Sequence, residues 1–500
     1  MRKWIFQNPY KVSSLLFLSS VIVISTQCKK FDEGSFAPSS PAIIKTISAN
    51  GGGLAYCSIS GGCPLTITGE NFAATSVPYV GPYKCLNVVI SPDFKQIDCK
   101  VGPAQNGIYK ITVKNSDVQD SVLDPSMPAS ANDFTYASFL YLGSQESPGK
   151  VYGYAQNPET GALITIPGSP FSISGNNSTY GVAIHPNNKF LYAANVRSDT
   201  ISTYSINPLT GVLSAVGSPT SSGAIEPNGL YFHPSGNYLY VSNYNGNSIS
   251  AFSVASDGTL TAISGSPFNT VGASIINGVV ITSDGLFLYA ASMGGNGGVV
   301  GFSIDQGTGA LTTIPGSPFR NTLGGTTTNP GDGITIHPNH RWLYMGLVGQ
   351  RKMAAWSIDQ STGVLTPIEA PILNNSTTGY VDNGGSASTV SEDGLFLYGT
   401  AFSRDVSTDP KKIIVYAIDQ TTGGLTRSSE VDTGGAPNDV RLDTNGKYAY
   451  TCNSKFPPSI SAFSVNKSNG ELTALSPRDY SIPAPTSGPG IMVMQRNTGL

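Results

Sequence analysis

The chain has 500 residues, of which 39% are hydrophobic and only 12% are charged, and its formal net charge is −3. That balance provides no basic surface for nucleic acid, and the low charged fraction argues against a disordered chain. The 57 glycines and 34 prolines follow no Gly-X-Y period, which excludes collagen and favours a turn-rich, all-β protein.

The N-terminal segment is typical of a signal peptide. Arg2, Lys3 and Lys11 accompany an apolar run, Val12 to Ile24, that is too short for an ordinary transmembrane helix. The run leads into STQCKK, which resembles a relaxed bacterial lipobox like those of spirochaete lipoproteins. The resemblance implies that residues 1–27 are removed and that Cys28 is lipidated. An ordinary cleaved signal or an uncleaved anchor is the alternative.

A short tether and a small sandwich are expected next. Residues 28–40 are Ser/Pro-rich, and residues 41–136 contain short alternating strands between turn signals, as expected for an Ig-like sandwich. The stretches LTITGENF, IDCKVGP and GIYKITVKN resemble the IPT/TIG family. That family implies an Ig-like fold used as a spacer or a binding module.

Four cysteines, Cys57, Cys63, Cys85 and Cys99, lie in this region. An even number in an exported domain predicts disulfides, and four cysteines allow three pairings. The IPT/TIG resemblance favours Cys85–Cys99, with Cys57–Cys63 as a local bridge. We expect no metal site, because the region has no CxxC pair and no histidine. Cys452 is then left over as a buried thiol.

Residues 137–500 repeat one unit, which is marked by an aromatic strand ending in tyrosine. Subtracting consecutive tyrosine numbers gives spacings of 48 to 55 residues. Such a period indicates a propeller or a solenoid, and four strands per unit without a helical period favour propeller blades. The seven tyrosines are Tyr141, Tyr192, Tyr240, Tyr289, Tyr344, Tyr398 and Tyr450.

The two ends of this region predict how the ring closes. The first unit begins at its second strand, near Phe139, whereas an extra strand at 490–494 follows the last unit. We expect the extra strand to complete the first blade, giving seven blades and no exposed edge. The stretches HPNNKFLYAAN, HPSGNYLYVSN and IDQGTGALT resemble the lactonase-like seven-bladed propellers, related to YVTN repeats and bacterial 6-phosphogluconolactonase.

Candidate site residues come from the positions immediately before the inner strands. By blade geometry these positions line one mouth of the central channel, flanked by Glu226 and Asp439. Such a ring would bind a small polar ligand or a divalent cation, or it would merely solvate the channel and cap strand starts. The aligned residues are Tyr180, Asn228, Asn277, Asp332, Ser386, Asn438 and Pro489, of which Asn228, Asn277, Asp332, Ser386 and Asn438 are the candidate ligand-binding residues.

Catalytic signatures are otherwise absent from the sequence. His185, His233 and His337 precede proline at the same turn of three blades, which favours a structural role in the turn over a catalytic one. The sequence has no nucleophile elbow, phosphate loop or zinc motif, and it lacks the PHxH and GPRH stretches of several lactonases. We therefore expect no cofactor and no metal site, and a divalent cation at the channel mouth is the alternative.

Two functions fit these observations. The first is a monomeric, lipid-anchored cell-envelope protein, placed in the outer membrane because Lys29 follows Cys28. Its inter-blade loops at 320–332 and 402–411 would bind a protein or polysaccharide. The alternative, implied by the propeller resemblance, is a lactone hydrolase in which Asp332 or Glu226 activates water.

Overall fold

A computed structural model provides the fold, and the residues that it describes form mainly strands and turns. Among the residues it describes, no helix has the length and apolar character needed to cross a membrane. The predicted signal peptide, the tether and Cys28 lie outside the described residues. The described residues are 41–49, 56–58, 61, 63–102, 104, 107–115, 121–123, 125, 133–172, 178–208, 210–323, 331–347, 352–369, 372–373, 384–401, 411–454, 457–482 and 489–495.

The first domain contains nine short strands in two sheets, as predicted for an Ig-like sandwich. Alternation along the strands puts one face of each sheet into a shared core that includes Ile67, Ile97 and Ile111. The strands are β1 Ile43–Ala49, β2 Tyr56–Ser58, β3 Pro64–Glu70, β4 Val77–Val80, β5 Tyr83–Lys84, β6 Leu86–Ile90, β7 Gln96–Lys100, β8 Gly107–Lys114 and β9 Val122–Leu123. One sheet has the order β6-β7-β3-β1-β9, and β8, β4 and β5 belong to the other.

The predicted Cys85–Cys99 disulfide is not formed in this structure. Both residues are free, buried thiols in the sandwich core. Their side chains are hydrogen-bonded to each other, and this bond, followed by burial, raises the pKa of the Cys99 thiol. The two side chains thus share a hydrogen bond in place of a covalent bond. Cys63 is disulfide-bonded, but the side chain of Cys57 lies outside the described residues, so that pairing stays a prediction.

One long strand, β10 (Asp133–Ser144), belongs to both domains. Asp133 to Tyr136 pair with β8, and Thr135 to Ala137 pair with β2 of the sandwich. From Ser138 onward the same strand pairs with the first strand of the propeller that follows it. The predicted domain boundary at residue 136 therefore falls inside a continuous strand.

Seven antiparallel sheets form the blades of the propeller, each with its second strand rich in buried aromatic residues. Blade 1 contains β10, β11 Lys150–Gln156, β12 Leu163–Thr165 and β13 Phe171–Ser172; blade 2 contains β14 Thr179–Ile184, β15 Phe190–Asn195, β16 Thr200–Ile206, β17 Leu213–Ala215 and β18 Thr220–Ser221; blade 3 contains β19 Pro227–Phe232, β20 Tyr238–Asn243, β21 Ser248–Val254, β22 Leu260–Ala262 and β23 Phe268–Asn269.

The later blades repeat this order, with the inner strand first and the outer strand last. Blade 4 contains β24 Ser274–Ile281, β25 Phe287–Gly294, β26 Gly298–Ile304 and β27 Leu311–Thr313; blade 5 contains β28 Gly331–Ile336, β29 Trp342–Leu347, β30 Lys352–Ile358, β31 Leu365–Pro367 and β32 Ile372–Leu373; blade 6 contains β33 Gly384–Val390, β34 Phe396–Ala401, β35 Lys412–Ile418 and β36 Leu425–Asp432; blade 7 contains β37 Pro437–Leu442, β38 Tyr448–Asn453, β39 Ser459–Val465 and β40 Leu472–Ser481.

The last strand, β41 (Pro489–Met494), closes the ring as predicted. It pairs antiparallel with β10, so that Leu140 faces Met494 and Leu142 faces Met492. Blade 1 is thus built from both ends of the propeller region. This pairing covers the edge of β10 that would otherwise be open.

An ion pair fastens β41 to blade 7. The Met492 amide donates to Asp439 Oδ2 over 2.9 Å, and Arg441 Nε donates to the Met492 carbonyl over 3.2 Å. Arg441 Nε also lies 3.1 Å from Asp439 Oδ2. Both backbone polar groups of one residue in the closing strand are therefore satisfied by side chains of the neighbouring blade.

The repeated tyrosines connect each blade to the next. Six tyrosine hydroxyls donate to the carbonyl of a glycine in the outer hairpin turn of the following blade, at 2.6 to 2.9 Å. The pairs are Tyr141 with Gly211, Tyr192 with Gly258, Tyr240 with Gly309, Tyr289 with Gly363, Tyr344 with Gly423, and Tyr450 with Gly161. The last pair runs from blade 7 to blade 1, so the series passes across the closure.

The acceptor must be glycine for two reasons. Gly309 has a φ of +73°, which residues with a Cβ rarely adopt, and a Cβ there would lie 2.6 Å from the Tyr238 ring. The aromatic residue two positions before the tyrosine thus packs on the same glycine that the hydroxyl binds. This double contact explains why the aromatic strand and the turn glycine recur together in the sequence.

Tyr398, in blade 6, is the exception to this series. Its side chain is fully buried, but its hydroxyl has no hydrogen-bond partner among the described residues. Phe396 still packs against Gly470, the corresponding turn glycine of blade 7, since a Cβ there would lie 2.5 Å from the Phe396 ring. The contact between blades 6 and 7 therefore keeps the aromatic packing and lacks the hydrogen bond.

We predict that Tyr240→Phe lowers the free energy of unfolding by about 1–3 kcal/mol, because the buried Gly309 carbonyl loses its donor. The matched control is Tyr398→Phe, which removes a hydroxyl that has no partner and should cost far less. Chemical denaturation of both variants measures the difference. Equal losses would show that the inter-blade hydrogen bond does not stabilise the ring.

Arg441→Met should destabilise the protein by about 3 kcal/mol, since it leaves the buried Asp439 carboxylate without its cation. Arg427→Met is the control, because Arg427 pairs with Glu430 at the surface and should contribute under about 1 kcal/mol. Thermal unfolding followed by circular dichroism compares the two. Similar small shifts would contradict the role of this pair in closing the ring.

Candidate channel-mouth site

The inner strands of all seven blades carry a β-bulge where the candidate ring was predicted. In blade 2, for example, Thr179 faces Asn195 and Val182 faces Ala193, so two residues on the inner strand oppose one on its partner. The ring residues were expected just before the strands, and this was wrong. They lie within the strands, because each inner strand also pairs with its neighbour on the N-terminal side of the bulge.

Glycines at the bulges bring neighbouring inner strands into close contact. A Cβ on Gly490 would collide with the Tyr180 carbonyl, and a Cβ on Gly181 would collide with the Asn228 carbonyl. A Cβ on Gly229 would lie 2.9 Å from the Asn277 carbonyl. Four successive ring positions, in blades 1 to 4, are therefore adjacent around the channel. In blade 1 the adjacent residue is Gly490, one position after the predicted Pro489.

Asn228 and Asn277 are the best-defined polar side chains of this ring. Asn228 is 7% exposed, and its Oδ1 has no hydrogen-bond partner among the described residues. Asn277 is equally buried, and its Nδ2 lies 3.6 Å from Met293 Sδ, which is a weak acceptor. A buried amide oxygen without a donor is costly, so this part of the ring is suited to a ligand that supplies a hydroxyl.

The other candidate positions are described less fully. Asn438 lies on β37 and is partly exposed. The backbone of Asp332 lies on β28 and that of Ser386 on β33, but both side chains lie outside the described residues. The proposed roles of these two side chains remain predictions.

Glu226 lies beside the ring in the loop that enters blade 3. Its backbone has a φ of +56°, and its amide donates to Asp199 Oδ1 over 2.7 Å. Its carboxylate accepts a 2.5 Å hydrogen bond from Asn245 Nδ2. The hydrogen bond from Asn245 orients the carboxylate. Because Glu226 is partly exposed, this carboxylate is also accessible to solvent at the end of the blade where the bulge lies.

Asp439 has a different role from the one predicted. It is fully buried, and burial raises its pKa against the opposing effects of Arg441 and backbone amides. Its carboxylate is committed to Met492 and Arg441, so it closes the ring and does not face a ligand. Sequence reasoning gave Arg441 no role, although a charged Asp-x-Arg triplet on an inner strand was a detectable signal.

The three His-Pro histidines are structural, as predicted. Each Nε2 bonds to a glycine carbonyl in the equivalent turn of the next blade: His185 to Gly236 at 2.9 Å, His233 to Gly285 at 3.2 Å and His337 to Gly394 at 2.8 Å. Burial lowers the pKa of His185 and His233, which favours the neutral ring. These turns follow the inner strands, at the opposite ends from the bulges.

The described residues contain no cluster of carboxylate, histidine or cysteine side chains that could bind a metal ion. Across the described ranges, no group of three or more His, Cys, Asp or Glu side chains could hold an ion. The described polar atoms at the bulges include the Asn228 amide oxygen and the backbone carbonyls of Tyr180, Asn228 and Asn277. They suit the hydroxyl groups of a neutral polar ligand.

Comparisons with known proteins agree with this architecture. The family model for the seven-bladed β-propeller lactonases matches residues 134–277 and 323–488, and the IPT/TIG domain model matches residues 43–136. Among curated proteins, none matches the sequence significantly.

Solved structures resemble the propeller at low sequence identity and therefore support the fold alone. A candidate 6-phosphogluconolactonase from Bacteroides fragilis is 21% identical with a TM-score of 0.60, and the match covers 74% of this chain and 99% of that one. The periplasmic gluconolactonase of Pseudomonas aeruginosa is 18% identical with a TM-score of 0.58, covering 72% and 99%. A functionally unknown protein from Desulfotomaculum acetoxidans is 12% identical with a TM-score of 0.54, also covering 72% and 99%.

The sequence repeat, the closure by the last strand and the family match over more than half of the chain lead to one assignment. The chain belongs to the seven-bladed β-propeller lactonase family and carries an IPT/TIG domain before its propeller.

Proposed function

We propose that the propeller hydrolyses a hydroxylated lactone at the mouth of its channel. The observation that carries this proposal is the Asn228 side chain, which is buried beside Asn277 and has an amide oxygen without a donor. A polyhydroxy lactone supplies that donor. The family membership and the gluconolactonase among the similar folds favour the same substrate class.

The reaction would add water to the lactone carbonyl carbon and break the ring C–O bond, releasing a hydroxy acid. Glu226 would accept the proton of the attacking water; its carboxylate accepts a hydrogen bond from Asn245 and is partly exposed, which supports this role. Asn277 Nδ2, which lies 3.6 Å from Met293 Sδ, would donate to the carbonyl oxygen as negative charge develops there.

We predict lactonase activity on sugar lactones such as gluconolactone. Asn228→Ala should raise KM about tenfold through the lost hydrogen bond, and Glu226→Gln should lower kcat by about 10²-fold or more. Glu471→Gln, an exposed change in an outer turn of blade 7, is the control and should behave as wild type. A pH-indicator assay detects the released acid, and turnover no faster than the spontaneous reaction would refute the proposal.

A second proposed role is that of an exported binding module, the first of the two sequence-based hypotheses. The continuous strand β10 supports it, because a sandwich joined to a propeller through one strand would present the propeller at a fixed orientation. The partner would be a protein or a polysaccharide bound by the inter-blade loops. The lipobox-like sequence before Cys28 favours attachment to the outer membrane.

Cys28→Ser should move the protein from the membrane fraction to the soluble fraction, because each buried acyl methylene contributes about 0.8 kcal/mol to membrane binding. Fractionation of cells that express both forms, followed by detergent extraction, measures this. Cys452→Ser is the control, since Cys452 is buried in blade 7 and cannot be lipidated in the folded protein. Retention of Cys28→Ser in the membrane would disprove the anchor.

A further inference from the structure

The contact between blades 6 and 7 contains a cavity, remote from the bulges of the inner strands. Its volume is about 280 Å³, far more than the ~10–15 Å³ that one water needs. It opens to the surface beside the turns that follow the inner strands. The cavity is lined chiefly by Ser391, Phe396, Tyr398, Leu442, Gly446 and Lys467.

Ser391 occupies the position that histidine occupies in three other blades. The Ser391 amide donates to the Phe396 carbonyl over 2.8 Å, and the His337 amide makes the same bond to the Trp342 carbonyl over 2.9 Å. The His185 and His233 amides bond likewise to the carbonyls of Phe190 and Tyr238. The backbone is therefore equivalent, and only the side chain is shorter.

In those other blades the histidine ring fills the space between two fixed partners. The His337 ring meets the Trp342 ring edge to face, with centroids 4.7 Å apart, and its Nε2 bonds to the Gly394 carbonyl of the next blade. Phe396 and Gly446 are the corresponding partners of Ser391. Both line the cavity, so the space lies where an imidazole ring sits in the other blades.

The cavity also offers a hydrogen-bond donor that the protein does not use. The Tyr398 side chain is 0% exposed and lines the cavity, and its hydroxyl has no partner among the described residues. Ser391 is not a competing donor, because its Oγ donates to Asp393 Oδ1 over 2.6 Å. A ligand that occupies the cavity and carries an acceptor atom would therefore satisfy the Tyr398 hydroxyl.

We propose that this cavity is a binding site for a small imidazole-type heteroaromatic molecule. The ring would pack against Phe396, as the histidine rings pack against the equivalent aromatic residues of other blades. One ring nitrogen would accept from Tyr398, and the other would donate to the Gly446 carbonyl, the counterpart of the glycine carbonyls that bind the histidines. The site is independent of the channel mouth and of the proposed lactonase activity.

The test uses the purified full-length protein and imidazole at pH 8, where most of the ligand is neutral. Titration calorimetry should show saturable binding with a 1:1 stoichiometry, and added imidazole should raise the unfolding temperature, as expected for a ligand that binds only the folded state. Tyr398→Phe should weaken the affinity about fivefold or more. Absence of saturable binding up to about 50 mM imidazole would overturn the proposal.

The decisive variant is Ser391→His, which supplies the ring from within the protein. It should raise the unfolding temperature of the ligand-free protein and abolish imidazole binding. Thr261→His, which adds a histidine on an exposed outer strand of blade 3, is the matched control and should leave imidazole binding unchanged. Imidazole binding that persists in Ser391→His would place the ligand elsewhere and also refute the site.

Discussion

The propeller depends on one repeated interaction, in which a buried tyrosine hydroxyl of one blade bonds to a turn glycine of the next. A blade of four or five short strands cannot bury both of its faces alone, so its stability comes from its neighbours. The tyrosine contact fixes the distance between neighbouring blades and their relative position along the propeller axis. Because Tyr450 makes the same contact with Gly161 across the closure, the first and last blades meet as five other neighbouring pairs do.

Departures from this repeat give two blades features that the other blades lack. In blade 7, Asp439 replaces the bulge glycine of blades 2 and 3, and its carboxylate binds the closing strand. In blade 6, Ser391 replaces histidine and the Tyr398 hydroxyl lacks an acceptor, which leaves a cavity. In blades 3 and 4 the repeat is intact, and two asparagines project beside the bulges. The repeated backbone is thus kept while the side chains at individual positions differ from blade to blade.

Much of the fold could be predicted from the sequence, because the aromatic strands and turn glycines recur at a period that only a blade explains. The closing strand was predictable for the same reason, since one unit lacked an inner strand. The inner strands begin at or before the ring residues and not after them, because the hydrophobic pattern does not reveal a bulge inside a strand. The Asp439–Arg441 pair of blade 7 binds Met492, which is distant in sequence, and the Cys85–Cys99 contact depends on packing in the sandwich core. Neither is encoded in residue spacing.

The shared strand β10 determines how the protein would respond to mechanical tension. Both of its edges within blade 1 are paired, with β11 on one side and β41 on the other. A pull transmitted from the sandwich would act along the strand axis, so its hydrogen bonds would be strained together in shear instead of breaking one after another. If such a protein were tethered at its N-terminus under flow, the drag force on the propeller would therefore load the sheet in the direction in which it best resists unfolding.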